Sequence, residues 1–272
     1  MEKLALKKTT NLKKLAILLI EFIIIEKIIE NGMLVPVLIK SPLSEITSNI
    51  VYKGIEIVLV LGLNYFLTRQ VIHLKFKITI KQVVFFILSL GYLTIIIKSG
   101  SPEYFFETFV WVALTAISEE LLFRGVILGS LVDLMIKWTT PSRLKIWGTV
   151  ILASLVFSLE HLTNLMNQTL PVTICQLIQT FGMGVLLAAV YIRTGSLVDA
   201  IYLHFLIDFP ALYISQFTTL QSGAASQVSP KLSVIGSIVI AVIYILIAIA
   251  LTKSFSQQNR LISLKRQILN HK

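Results

Sequence analysis

The sequence has little charge. Only 14% of its 272 residues are Asp, Glu, Lys or Arg, whereas 56% are hydrophobic and the mean hydropathy is +0.84. Soluble domains carry about 25% charged residues, so this composition excludes an ordinary soluble protein and indicates a chain surrounded mostly by lipid. The net charge of +10 is explained by cytoplasmic loops and anionic lipid headgroups, and it requires no nucleic-acid partner.

Cysteine is almost absent as well. Cys175 is the single cysteine, so an intrachain disulfide is excluded and the fold does not depend on an oxidising compartment. We interpret Cys175 as a small packing residue. A cleavage site of small residues is also missing after the basic and apolar N-terminal stretch, which predicts a retained first helix rather than a signal peptide.

Long apolar runs are abundant. A helix needs about 20 mostly apolar residues to cross a membrane. The sequence offers eight such candidates: Leu15–Ile29, Gly54–Thr68, Val83–Ile97, Tyr104–Leu128, Trp147–Leu165, Leu170–Ile192, Leu197–Ser215 and Leu232–Thr252. Glu21 and Glu26 interrupt the first, and Lys53 with Glu56 makes the second marginal. We therefore predict an all-α, polytopic transmembrane helix bundle with about eight spans.

The distribution of Lys and Arg assigns a side to each loop. If the N-terminus is cytoplasmic and all eight segments cross, eighteen of the 24 Lys and Arg residues fall on the inner side and five on the outer. The outer five are Lys27, Lys40, Lys53, Lys98 and Lys231. Because cytoplasmic loops carry the positive excess, we predict that both termini are cytoplasmic and that the basic tail lies on the inner surface.

The loops are short, so the prediction is one structural domain. Residues 1–100 would form three N-terminal spans, residues 101–215 a catalytic core of four spans, and residues 216–272 the last span and the tail. The expected surroundings are the lipid bilayer of a plasma membrane. The sequence gives no indication of the oligomeric state.

Three formal charges lie inside the fourth predicted span, where an ionised side chain costs roughly 2.5–3.5 kcal/mol near the helix centre. Glu120 and Arg124 are four residues apart and share a helical face, which predicts an ion pair. Glu119 points about 100° away and has no cation on that face. This pattern indicates one structural carboxylate and one that is available for chemistry.

Two further predicted spans carry histidines. His161 lies in "FSLEHLTN" of the fifth, and His204 precedes Asp208 by four residues in "HFLID" of the seventh. The helical rise of 1.5 Å per residue places these groups at a similar depth to Glu120. We expect two carboxyls and two imidazoles in one sheltered cavity, which provides a base and an oxyanion-stabilising group for water activation.

The same residues form three motifs in a familiar order. "EELLFRG" contains EExxxR, "FSLEH" contains FxxxH and "HFLID" contains HxxxN/D, with "RTGSLVDAIYLH" leading into the last. Over roughly Tyr104 to Ala211 the sequence resembles the CAAX-protease and bacteriocin-processing family (CPBP, or Abi). The resemblance implies an intramembrane endopeptidase related to the type II prenyl-protein proteases, whose substrate is a membrane-associated peptide or protein.

The resemblance also implies roles for the candidate residues. Glu119 and His161 would activate a water, while His204 and Asp208 would stabilise the tetrahedral oxyanion. Many relatives have Asn where this chain has Asp208. Glu120 and Arg124 would hold the other groups in place. Bacterial members process peptide pheromones or bacteriocins or confer self-immunity, so we expect a bacterial cell membrane.

Three questions stay open at the level of sequence. The first is the metal, because Glu119, His161, His204 and Asp208 could form a two-His, two-carboxylate Zn²⁺ site, whereas a metal-free glutamate mechanism uses the same residues. The second is catalysis itself, because a non-catalytic immunity or scaffold protein could use the polar cluster only to fix the bundle. The third is a proton-coupled transporter, since buried His and carboxyl groups also form proton relays.

Overall fold

The structure is a computed structural model that describes residues 16–17, 20–21, 23–25, 27–74, 78–138, 142–166, 168–222, 230–252 and 262. The α-helices with bounds inside these residues are α1 (Val35–Ile39), α2 (Glu45–Leu63), α3 (Ile80–Ser99), α4 (Pro102–Glu120), α5 (Gly129–Trp138), α6 (Arg143–Glu160), α7 (Leu170–Thr194), α8 (Leu197–Ser222) and α9 (Pro230–Thr252). The described part of the chain contains no β-strand, so the predicted all-α class is confirmed.

Among the described residues, six helical segments are long and apolar enough to cross a membrane. They are Glu45–Thr68, Ile80–Ser99, Arg143–Met166, Leu170–Thr194, Leu197–Ser215 and Ser233–Thr252. Each overlaps one of the predicted spans, and the chain is therefore a multi-pass membrane protein. The described positions of the first predicted span are helical, but several of its positions and all residues before it lie outside the described residues. The count of eight spans and the cytoplasmic termini stay predictions.

The fourth predicted span continues further than expected. It begins as α4, passes at Leu121 into a π-helix that ends at Leu128, and leads without interruption into α5. The helix therefore continues past the predicted end of the span at Leu128 as far as Trp138, and this stretch is not among the six apolar segments given above. A π-helix is rare and often marks a functional site, and this one begins directly after Glu119 and Glu120.

Local sequence signals account for several helix ends. Ser44 Oγ accepts a hydrogen bond from the Thr47 N–H at the start of α2, and Thr79 with Gln82 forms a capping box before α3. At the end of α7, Gly195 has φ +66°, a left-handed conformation that favours glycine. This glycine makes the predicted tight turn between the sixth and seventh spans.

Helix α7 is the centre of the bundle, since α6, α8 and α9 all pack on it. The approach to α9 is closest at Gly182, where an added Cβ would lie 2.5 Å from the Ala241 Cα. On the side facing α6, a Cβ on Gly184 would lie 3.0 Å from Ser154 Cβ. Small residues at both contacts let the backbones meet, as is common between membrane helices.

Aromatic rings join α8 to α4. Phe205, Phe209 and Tyr213 are spaced four residues apart on α8 and stack with centroid separations of 5.2 and 5.3 Å. Phe109 of α4 meets Phe205 edge-on at 5.2 Å, and Phe105 meets Phe209 in the same way at 6.0 Å. Edge-to-face pairs add to the energy of burial, so this stack fixes α8 beside the acidic end of α4.

Candidate active site

Glu120 is the hub of a buried polar network. Its Oε1 lies 2.7 Å from Arg124 Nη1 and 2.8 Å from His204 Nδ1. The predicted ion pair between Glu120 and Arg124 is therefore present, and neither residue is more than 2% exposed. Arg124 is held further by the Gly184 carbonyl, 3.4 Å from Nη2, and by the face of Phe157, 4.4 Å from the guanidinium carbon.

His204 links this network to two more carboxyls. Its Nε2 lies 3.0 Å from Asp208 Oδ2 and 3.8 Å from Glu119 Oε2. The imidazole is fully buried, whereas the Asp208 side chain is 32% exposed and that of Glu119 is 18% exposed. One edge of His204 is thus fixed by Glu120, and the other faces the two carboxyls that are accessible from a cavity.

His161 lies where α6 ends and a 3₁₀-helix, His161–Met166, begins. Its Nδ1 is 2.9 Å from the Phe157 carbonyl oxygen. Because a carbonyl only accepts hydrogen bonds, Nδ1 carries a proton, and in the neutral ring Nε2 keeps the lone pair. His161 lines the same cavity as Glu119.

These groups surround one cavity of about 560 Å³. Glu119, His161 and Asp208 line it directly, whereas Glu120, Arg124 and His204 lie behind its wall. Part of the wall is apolar, formed by Leu122, Met183, Ile207, Leu212 and Ile240. The structure therefore brings together, from three helical segments, all six side chains that the sequence singled out.

The sequence did not single out four charged residues that also line this cavity. Lys27 forms an ion pair of 2.8 Å with Glu160, and Lys53 forms one of 2.6 Å with Glu56. Lys53 also lies over the rings of Tyr52 and Trp111, at 5.2 and 5.3 Å from their centroids. The only sequence signal was that Lys53 and Glu56 made their span marginal.

The candidate zinc ligands do not form a ready metal site. In the part of the chain that the structure describes, no group of three or more His, Cys, Asp and Glu side chains could hold a metal ion. His161 Nδ1 is occupied by a backbone carbonyl and His204 Nδ1 by Glu120. The zinc site stays a prediction of the sequence, and the chemistry proposed below uses only the side chains.

The comparisons with known proteins agree with the motifs. Residues 101–210 match the family model described as Type II CAAX prenyl endopeptidase Rce1-like, whereas no curated protein and no solved structure matches the chain. All six candidate site residues fall inside the matched segment, and the family predicted from the three motifs is confirmed. Over residues 101–210 the chain is therefore similar to the CAAX-protease (CPBP) family.

Proposed function

We propose that the protein is an intramembrane endopeptidase that hydrolyses a peptide bond in a membrane-associated peptide or protein. The observation that carries this proposal is the arrangement of Glu119, His161 and Asp208 around one cavity, with His204 directly behind two of them. Hydrolysis within a membrane needs a sheltered aqueous site, a base and a group that stabilises the oxyanion. In this proposal the cavity is the sheltered site, Glu119 is the base, and His204 behind the wall is the oxyanion-stabilising group.

Glu119 and His161 activate the water in this proposal. A water between the Glu119 carboxylate and His161 Nε2 meets two acceptors, since His161 Nδ1 is committed to the Phe157 carbonyl. One acceptor takes the proton as the water oxygen attacks the scissile carbonyl, and the proton then passes to the leaving amine. The carboxylate is accessible from the cavity but sheltered from bulk solvent, which strengthens its interactions with developing charge.

His204 stabilises the oxyanion. Each of its ring nitrogens faces a carboxyl oxygen, and carboxylates only accept hydrogen bonds, so an imidazolium satisfies both neighbours as a donor. In the structure, Asp208 Oδ2 lies 3.0 Å from His204 Nε2, at the place where the oxyanion would lie in this proposal. Because the Asp208 side chain is 32% exposed, it has room to shift so that a carbonyl oxygen can enter and share the Nε2–H donor with it.

Glu120 and Arg124 act as positioning residues. A single oxygen of Glu120, Oε1, accepts hydrogen bonds from both the His204 imidazole and the Arg124 guanidinium. The orientation of His204 therefore depends on Arg124 through Glu120. Fixed partners of this kind set the tautomer and the ring orientation of a catalytic histidine. Neither residue lines the cavity, and therefore neither touches the substrate in this proposal.

The direct test is peptide cleavage by purified protein in proteoliposomes, with membrane-protein tail peptides as candidate substrates. Glu119→Gln removes the base while preserving shape, so cleavage should fall by at least about a hundred-fold, the lower range of general acid–base catalysis. Glu103→Gln, at an exposed position of the same helix, is the matched control and should retain activity. Cleavage by Glu119→Gln at the wild-type rate would remove this carboxylate from the mechanism.

A second measurement separates the mechanisms that the sequence left open. Cleavage should persist after treatment with a strong zinc chelator, because the proposed steps use side chains only. Loss of cleavage that added zinc restores would replace the glutamate mechanism with a metal-dependent one.

Cellular immunity to a bacteriocin that survives substitution of both His161 and His204 would instead support a non-catalytic role.

A further inference from the structure

One wall of the active-site cavity carries a pair of amide side chains that the proposed chemistry does not use. Asn164 ends the "FSLEHLTN" stretch that contains His161, and Gln176 lies on α7. Both residues line the cavity and are half-buried. Asn164 Nδ2 donates a hydrogen bond of 2.9 Å to Gln176 Oε1, so the two amides are joined side by side in the cavity wall.

The bond between these amides leaves a matched set of hydrogen-bonding groups. Asn164 keeps its carbonyl oxygen as an acceptor and Gln176 keeps its amide nitrogen as a donor. Among the described residues, neither of these atoms has a hydrogen-bond partner. An acceptor beside a donor is the complement of one residue in an extended chain, because its N–H and C=O point to the same side and pair together in an antiparallel ladder.

The 3₁₀-helix His161–Met166 sets the distance of the amide pair from the reaction centre. Side chains three residues apart in such a helix are eclipsed, so Asn164 lies on the same side as His161 and about 6 Å further along the axis. An extended chain advances roughly 6.6 Å in two residues. A peptide with its scissile carbonyl beside His161 therefore places a residue about two positions away beside the amide pair.

Within the proposed peptidase function, on which this inference rests, we propose that Asn164 and Gln176 bind the main chain of an extended peptide substrate. The N–H of one substrate residue donates to Asn164 Oδ1, and the C=O of the same residue accepts from Gln176 Nε2. A helical segment uses those groups in its own hydrogen bonds. The subsite therefore selects a segment that has unwound near the scissile bond, and it does so through the main chain rather than through side chains.

Backbone esters test this contact, because an ester has no N–H and its carbonyl is a weaker acceptor than that of an amide. Labelled tail peptides are bound to the Glu119→Gln protein in detergent, so that fluorescence anisotropy measures affinity without turnover. The ester is moved one position at a time along the peptide. At the position about two residues from the scissile bond it should weaken binding about ten-fold, as expected for one lost and one weakened hydrogen bond.

Substitutions in the same protein assign the ester effect to the amide pair. In Asn164→Leu and in Gln176→Met, which roughly keep the side-chain volume, the amide and ester peptides should bind with equal, reduced affinity. Gln168→Ala removes an exposed amide outside the cavity and should preserve the difference between the peptides. If the pair only holds the 3₁₀-helix against α7, both variants weaken the two peptides by the same factor, and the persisting ester difference would overturn the subsite.

Binding and cleavage together separate the subsite from the proposed function. Ester-sensitive binding without any cleavage by the wild-type protein would refute the peptidase and retain the main-chain subsite. Cleavage by the wild type, combined with binding that no ester position weakens, would refute the subsite alone. A failure of all the peptides to bind would overturn the subsite as well.

Discussion

At the scale of single residues, the environment of His204 depends on partners from two helices. Glu120 reaches it from the end of α4, whereas Asp208 reaches it from one turn further along α8. Helical spacing predicted the pair on one helix and the neighbouring pair of Glu120 with Arg124, because contacts four residues apart are local. The contact between Glu120 and His204 is tertiary. Their similar depth along the helices predicted a shared cavity, but it could not predict this hydrogen bond.

The same limit applies to Lys53, whose burial the sequence did not predict. Lys53 was assigned to an outer loop because it directly precedes the predicted second span, Gly54–Thr68. In the structure Lys53 is 7% exposed and pairs with Glu56, one turn away. The i,i+3 spacing was visible in the sequence, but the rings of Tyr52 and Trp111 that bury the ammonium come from two different helices.

Asp208→Asn should retain peptidase activity within about ten-fold of wild type, whereas Asp208→Leu should lose at least about a hundred-fold. The two variants should therefore differ by roughly 1.4 kcal/mol or more in transition-state stabilisation. The amide oxygen of Asn accepts from His204 as the carboxylate does, and its NH₂ donates directly to an oxyanion. Steady-state kinetics with one cleaved peptide provides the measurement. Similar loss in both variants would mean that the negative charge of Asp208 is itself required.

Arg124→Lys should lower both activity and thermal stability, although the charge is kept. An ammonium cannot hold Glu120 and the Gly184 carbonyl in the planar geometry of a guanidinium or stack on Phe157 in the same way. Since breaking a buried ion pair costs about 3–5 kcal/mol, a distorted one should cost a measurable part of that. Arg69→Lys, at an exposed position, is the control for kcat and for Tm, and an equal effect would contradict the role of planarity.

At the scale of elements, hydropathy was sufficient to locate the spans. Predicted and observed ends of the last four agree within a few residues, because apolar length is fixed by the bilayer. The fourth predicted span was different, since its helix passes through a π-helical segment, Leu121–Leu128, and continues to Trp138. A π-helix has no distinctive composition, and the wider turn is stabilised by tertiary contacts such as those of Arg124, so hydropathy could not reveal it.

Gly182→Ala should destabilise the contact between α7 and α9. The new Cβ would meet the Ala241 backbone at 2.5 Å, so one helix must move. In an open part of a helix the same change stabilises by up to about 1 kcal/mol. Gly148→Ala, where a Cβ has no neighbour within 4 Å, is therefore a control of opposite sign. Thermal unfolding in detergent measures both, and equal shifts in Tm would contradict the close packing.

At the scale of the whole molecule, the positive charges and the helix directions together define an orientation. Lys137, Arg143, Lys145 and Arg193 lie at one end of the bundle, and the connection between α3 and α4 lies at the other. The charge rule predicts that the first end is cytoplasmic. The sequence predicts this orientation only through the excess of Lys and Arg on one side of the predicted spans. Contacts within the chain do not determine it, because a bundle inserted in either direction has the same internal packing.

Cysteine labelling measures the orientation directly. In a Cys175→Ser background, Lys98→Cys should react with a membrane-impermeant maleimide on intact cells, whereas Lys137→Cys should react only after the membrane is permeabilised. Both positions are exposed, so accessibility to the reagent differs only by side of the membrane. The reverse pattern would show that the termini face outward.

The origin of the cavity wall has an evolutionary consequence. The groups proposed to break the bond fall within residues 101–210, whereas Lys27, Tyr52, Lys53 and Glu56 come from upstream helices that the family model does not cover. In the proposed function, the groups that break the bond and part of the wall that faces the substrate are thus encoded in separate stretches of the gene. Chimeras of two relatives joined before residue 101 should then retain cleavage and shift in substrate preference toward the upstream parent.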